Sequence, residues 1–258
     1  MHRFFAPPDR CSAPVFALDD SEARHAAQVL RLGVGDRVEI LDGQGGLIEA
    51  QIVSSSRKSV EVQVIARRTQ PRTGPGVVLF QALLKGKAFE TVLEKAVELG
   101  VEQVILLDTE RCVAQVPPSE VGRKQALWTQ TLIEASKQSR NARLPELLGP
   151  MSVREALRQW SVVSGNPLFV ASLEPGVLPL GRVLSATVSG APCHRLGVAI
   201  GPEGDFTPAE LEEFRSAGAH PVSLGPLILR AETAAIAAAS ILGDHARGAA
   251  PTSVTPAS

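Results

Sequence analysis

The sequence predicts an α/β protein in two parts: a small N-terminal β barrel, then a larger α/β domain built on a mainly parallel sheet. Three observations predict it. Before residue 70, apolar residues recur at every second position in strand-length runs. After residue 77, short apolar runs alternate with segments of helical period, the pattern of strands joined by crossover helices. Between them, Arg67-Arg68-Thr69-Gln70-Pro71-Arg72-Thr73-Gly74-Pro75-Gly76 has neither period. A chain of 258 residues that is 44% hydrophobic has enough apolar surface for both cores.

Taken in order, 1–70 is the β-barrel domain, 71–76 the linker, 77–247 the α/β domain and 248–258 a small, polar, disordered tail. A helix from Asp20 to Leu32, stopped by Gly33, covers one end of the barrel. Strands follow at 37–41, 47–53 and 59–65, with Asp42-Gly43-Gln44-Gly45-Gly46 as a hairpin turn. Residues 77–84, 87–99 and 101–107 form a βαβ unit. In its helix Phe89, Val92, Leu93, Ala96 and Leu99 share a face, and Gly100 stands at the end. Ser152 with Glu155, and Thr207-Pro208-Ala209-Glu210, are capping boxes that open two later helices. Ala231 to Ala246 is a helix rich in alanine, whose small side chains allow close packing.

Composition excludes several classes. No apolar run approaches the roughly eighteen residues of a membrane span, and the first residues lack the apolar stretch of a secretory leader, which predicts a cytoplasmic protein with no membrane partner. Cys11, Cys112 and Cys193 are odd in number and far apart, so they predict reduced thiols. The five histidines have no ligand spacing, and no metal site is expected. Motifs for nucleotide hydrolysis, dinucleotide binding, zinc proteolysis and serine hydrolysis are absent. Net charge is -1, yet Arg123, Lys124, Lys137, Arg140 and Arg143 face the single acid Glu134 between 121 and 145, and Arg67, Arg68 and Arg72 form a smaller cluster. Each cluster is either a solvated face or a grip on phosphates.

Two glycine-proline loops carry the strongest signal for a site: Gly201-Pro202-Glu203-Gly204 after an apolar strand, and Leu224-Gly225-Pro226-Leu227-Ile228-Leu229-Arg230-Ala231-Glu232-Thr233 opening the alanine-rich helix. Such loops admit close ligand approach and end in helices whose first amides are free. Together with Arg3-Phe4-Phe5, His25 and Val29-Leu30-Arg31, Gln81 to Gly86, Glu98-Leu99-Gly100-Val101, Glu110-Arg111-Cys112 and Gln138-Ser139, these segments resemble the ribosomal RNA small-subunit uridine N3-methyltransferase family (RsmE) of the SPOUT class. The resemblance covers nearly the whole chain.

The resemblance implies a PUA-like barrel that holds RNA, a C-terminal α/β domain with a trefoil knot, S-adenosylmethionine as methyl donor, small-subunit ribosomal RNA as substrate in the assembled particle, and a homodimer. It implies a cofactor site at Leu173, Gly201, Pro202, Glu203, Gly204, Leu224, Ile228, Leu229 and Thr233, and RNA contacts at Arg3, Arg31, Lys85, Arg111, Lys137, Arg140 and Arg143. An imide proton must leave uridine N3, which nominates Arg230 and Glu232 as catalytic; the alternative is an ion pair between them that closes the fold. Glu203 either faces the positive sulfonium or bonds local amides as a turn residue. The chain departs from the family's usual pattern at Gln28, Lys87-Ala88, Arg140-Asn141, Asp205 and Leu227. Another RNA target, a non-catalytic assembly factor and a small-molecule enzyme remain the competing readings.

Overall fold

The computed structural model describes residues 1–56, 58–72, 74–161, 165–188 and 193–248, so the tail expected from 248 lies, Gly248 apart, outside the described residues. The chain divides into two units, Met1–Arg72 with Gln130–Leu144 and Thr73–Thr129 with Pro145–Ser258.

Alternation of apolar and polar residues makes the sheet of the first unit one-sided. Its strands β1 (His2–Phe5), β2 (Val15–Ala17), β3 (Arg37–Leu41), β4 (Gly46–Ser55) and β5 (Val60–Thr69) pair in the order β1-β3-β4-β5-β2. Only β1 and β3 run parallel. Val38 and Ile40, Ile48 and Ile52, Val60 and Val62 point into one core with Phe4 and Phe16, as a period of two requires. At the hairpin, Asp42 Oδ1 accepts the amides of Gln44 and Gly46, both at 2.7 Å.

The structure corrects the sequence reading in three places here. First, the helix expected over 20–32 is α-helical only from Asp20 to Arg24 (α1), where Asp19 Oδ1 caps the amides of Ser21 and Glu22. His25–Val29 then widens into a π turn, closed by the Leu30 amide on the His25 carbonyl at 2.9 Å. The extra residue per turn keeps Ala23 and Ala26 in the core and leaves Val29 66% exposed. Second, β5 continues to Thr69, so the expected break at 67 is still strand. Arg67 there is no phosphate grip: its guanidinium donates to the carbonyls of Cys11, Ser12 and Ala13 at 2.6–3.1 Å.

Third, residues 130–144, expected in the α/β domain, fold with the first unit. Lys137 Nζ sits 2.8 Å from both Glu22 Oε1 and Glu134 Oε1. Arg3 pairs with Glu39 at 3.0 Å and donates to the Lys137 carbonyl at 3.0 Å. Arg143 donates to the carbonyls of Gln44 and Gln70 at 2.6 and 2.8 Å, and Ala142 N donates to Gln70 Oε1. Burial pushes the Glu22 carboxyl above its ordinary range even with Lys137 beside it, and its Oε2 has no partner. Burial also disfavours the Lys137 ammonium, but the two carboxylates outweigh it and hold its pKa up.

In the second unit all ladders are parallel. The strands β6 (Gly76–Ala82), β7 (Val101–Leu107), β8 (Glu146–Met151), β9 (Leu168–Ala171), β10 (Arg195–Ile200) and β11 (His220–Val222) lie in the order β11-β9-β10-β6-β7-β8. The helices are α2 (Gly86–Glu98), α3 (Val121–Ser139, whose second half enters the first unit), α4 (Val153–Ser161), α5 (Leu180–Val188), α6 (Pro208–Ser216) and α7 (Ala231–Gly248). A parallel sheet needs cover on both faces, and the middle strands β6, β7, β9 and β10 are accordingly mostly apolar and buried. Val78, Phe80, Ile105, Leu107 and Val170 pack with Trp160 of α4 and Phe214 of α6. The residues between them face the other way, where α7 packs on β6, β10, α2 and α5. Ala231, Ala234, Ala235, Ala238, Ala239, Leu242 and Ala246 form its buried stripe.

Among the described residues no helix is long and apolar enough to cross a membrane. Lys137→Met is expected to destabilise the protein by about 3 kcal/mol at neutral pH, because the buried Glu22 carboxylate loses its cation. A carboxyl whose folded pKa is raised contributes stability in acid that disappears as the pH rises through that value. The variant's deficit therefore shrinks on acidification, which urea unfolding at several pH values checks.

Candidate active site

Because the strands run in one direction, β9, β10 and β11 all end at one edge, and the loops that leave them meet there. The loop after β9 is anchored by the Ser172 amide on the Val222 carbonyl, and the Ser223 amide donates to the Leu178 carbonyl. The loop after β10 turns at Pro202, whose carbonyl accepts the Asp205 amide at 3.0 Å. It ends in the capping box of α6, where Thr207 Oγ accepts from Glu210 N and Glu210 Oε2 accepts from Thr207 N at 2.8 Å. The loop after β11 is fixed by Ser223, whose hydroxyl donates to the Gly225 carbonyl and accepts the Gly225 amide. It passes into α7, whose first bond runs from Ala234 N to the Arg230 carbonyl at 2.8 Å.

These loops enclose a cleft of about 540 Å³. Leu173, Gly201, Pro202, Glu203, Leu224, Ile228 and Leu229 line it, and so do Arg230 and Glu232. Gly204 and Thr233, expected at the cofactor, are outside the lining. The carbonyl of Gly204 instead accepts Arg111 Nη1 at 3.0 Å, and Thr233 lies on an exposed part of α7. Ala88 of α2, Ala171, Ser172, Ile200, Asp205, Ser223, Gly225, Leu227, Ala231 and Ala234 complete the wall. Gly225 and Leu227 fall in the loop the sequence reading marked; of the others, the ends of the apolar strands at 171 and 200 were the signal for Ser172 and Ile200, while nothing local marks Ala88.

Among the described residues Arg230 and Glu232 form no ion pair with each other, and Glu203 bonds no local amide. All three residues line the cleft. Asp205, which the resemblance marks as a departure from glycine, has φ 61, a left-handed conformation that aspartate tolerates, and its Oδ1 accepts the Phe206 amide at 2.8 Å. The cleft's charged lining is three carboxylates, Glu203, Asp205 and Glu232, against the one guanidinium of Arg230.

The cations expected at RNA separate into two groups. Arg3, Lys137, Arg143 and Arg111 spend their charged ends on the protein itself. Arg31, Lys85 and Arg140 are exposed and make no hydrogen bond or ion pair among the described residues, the two arginines at φ 56 and 62.

A parallel sheet with a loop-built, mostly apolar cleft at its strand ends defines an α/β enzyme domain of the kind that holds a flat organic cofactor. Residues 72–243 match an RNA methyltransferase domain and 18–65 an RNA methyltransferase PUA domain. The chain is 31% identical to ribosomal RNA small subunit methyltransferase E of Mycobacterium tuberculosis, over 89% of this chain and 86% of that one. Identity to the Bacillus subtilis protein of the same name is 29%, over 89% and 90% of the two chains. The crystal structure of ribosomal RNA small subunit methyltransferase E from Neisseria gonorrhoeae bound to S-adenosyl methionine superposes with a TM-score of 0.83 at 27% identity, covering 95% of this chain and 98% of that one. The chain belongs to the RNA methyltransferase family whose members carry that name.

Asp205→Gly should leave stability within about 0.5 kcal/mol, since glycine accepts the positive φ that offsets the lost side-chain bond, whereas Asp205→Val should cost about 1–2 kcal/mol. Chemical denaturation of the two variants measures the difference.

Proposed function

We propose that this chain transfers a methyl group from S-adenosylmethionine to N3 of a uridine in small-subunit ribosomal RNA, in the cytoplasm and on the assembled subunit. The observation that carries the reading is the composition of the cleft: apolar walls of Leu224, Ile228 and Leu229, an excess of carboxylates and no lysine. A flat adenine suits such walls when loop amides and carbonyls read its edges. A cationic sulfonium suits the carboxylates of Glu203 and Asp205, and a cofactor without phosphates needs no lysine. A site for a nucleoside triphosphate would carry the opposite sign.

When bound, S-adenosylmethionine supplies an electrophilic methyl group. The residues of this chain prepare the acceptor. Uridine N3 carries an imide proton, and its loss spreads negative charge onto O2 and O4. In this reading Arg230, just before α7, donates to one of these oxygens, and Glu232, two residues on, accepts the proton; both line the cleft. Much of the acceleration then comes from holding N3 in line with the methyl group. Arg31, Lys85 and Arg140, the cations left unspent, are the contacts proposed for RNA phosphates, which give affinity without demanding exact geometry. Leu227 and Ile228, 77% and 82% exposed at the cleft, support a homodimer that covers them. The loops at 201–207 and 223–230 are the segments a trefoil knot would thread.

Small ribosomal subunits lacking the modification, incubated with labelled donor and digested, should yield 3-methyluridine by mass spectrometry. A different methylated nucleoside would reassign the acceptor, and donor binding without transfer would favour a non-catalytic assembly factor. Arg230→Ala is expected to lower kcat about 100-fold while donor affinity changes less than threefold. Equal loss of both would remove Arg230 from the catalytic role.

A further inference from the structure

The turn that follows β7 makes contacts that the cleft itself does not explain. Arg111 Nη1 donates to the Gly204 carbonyl at 3.0 Å and to the Phe206 carbonyl at 3.4 Å. One residue earlier, the Glu110 amide donates to Glu210 Oε1 at 2.9 Å, the same carboxylate whose other oxygen closes the capping box of α6. The turn is itself held from below, where Cys112 Sγ lies 3.1 Å from Thr109 Oγ1 and donates to the Leu83 carbonyl at 3.4 Å. The loop is built for this approach. A Cβ on Gly204 would stand 3.2 Å from Arg111 Cβ, and one on Gly201 would stand 3.1 Å from the Phe206 amide. The cleft wall formed by Gly201, Pro202 and Glu203 is thus the front of a loop whose back is clamped by one guanidinium.

We infer that Arg111 is a positioning residue for the cofactor loop rather than an RNA contact, setting donor affinity by fixing the backbone of 201–206. This rests on the reading of the cleft as the S-adenosylmethionine site. Without the clamp, two carbonyls lose a charged donor, and the loop must be ordered by the donor at the moment of binding.

The test uses the full-length protein, with calorimetric titration of S-adenosylmethionine in the absence of RNA and a separate filter-binding titration of small-subunit ribosomal RNA. Arg111→Ala should raise the donor Kd at least tenfold, and KM for the donor likewise, with kcat at saturating donor falling less than threefold and RNA affinity within twofold. Arg111→Lys, which keeps a cationic donor near both carbonyls, should recover most of the loss. General destabilisation would lower the active fraction, and so kcat, without the split from KM; that result overturns the inference. So does unchanged donor binding, or a loss confined to RNA, which would return Arg111 to the RNA interface. If Arg111→Ala does not fold, Arg111→Lys and Arg111→Gln decide: equal donor affinity in the two overturns the inference, and a lower affinity in Gln supports it. Wild-type protein that binds no donor would fail the reading of the cleft itself, and the inference with it, independently of any variant.

Discussion

The six strands of the second unit all run in one direction, and the site depends on that constraint. Parallel neighbours cannot be joined by hairpins, so every connection crosses over a face and every strand delivers its carboxyl end to the same edge. There the backbone of β9, β10 and β11 leaves the ladder, and its amides and carbonyls need new partners. The segments after β9 and β11 supply them to one another, Ser172 to Val222 and Ser223 to Leu178, and the loop after β10 bonds within itself, Asp205 to Pro202. A cleft forms because three loops satisfy their polar groups laterally and leave apolar side chains facing the gap. The same constraint explains the alanines of α7. A helix packed on β6, β10, α2 and α5 approaches them closely where its inner face carries methyl groups, with Leu242 the one large side chain on that stripe.

What the sequence made legible follows from how local each cause is. The capping box at Thr207 and Glu210 needs four consecutive residues, and it is formed as read. The βαβ unit from β6 to β7 needs only hydrophobic period and a terminating glycine, and its helix runs Gly86–Glu98. The π turn at His25–Val29 had no such local cause, because the small residues there suit an ordinary helix equally well. Nor could the return of 130–144 to the first unit be read from a helix that is continuous from Val121 to Ser139. The cleft walls at 201–203 and 224–229 were visible as glycine-proline loops, while Ala88 comes from a helix distant in sequence and chemically unremarkable.

Charge was the least legible property, and the arginines show why. Arg67, Arg111 and Arg143 each use a planar fork of donors to collect carbonyls from a loop: 11–13 for the first, 204 and 206 for the second, 44 and 70 for the third. A carbonyl group is invisible in a sequence because every residue has one. Counting basic residues therefore counts structural clamps together with groups free to meet a polyanion, and only the pairing separates them. After that subtraction, Arg31, Lys85 and Arg140 are the members of the expected RNA set that stay exposed and without a side-chain partner among the described residues.

The sign of the cleft carries a last consequence for the proposed reaction. An RNA phosphate and a sulfonium carry opposite charges, so one surface cannot attract both. The cleft lining has more carboxylates than guanidinium, and the unpartnered cations Arg31, Lys85 and Arg140 are all absent from it. In the proposed reaction methyl transfer converts a sulfonium to a neutral thioether, and an attraction from Glu203 and Asp205 for the donor would be lost in the spent cofactor. Arg230 is the one positive charge in the lining, and the proposed reaction would set it against the imide anion that forms. On the proposed reading the lining would separate donor from product by charge, with Leu224, Ile228 and Leu229 supplying shape.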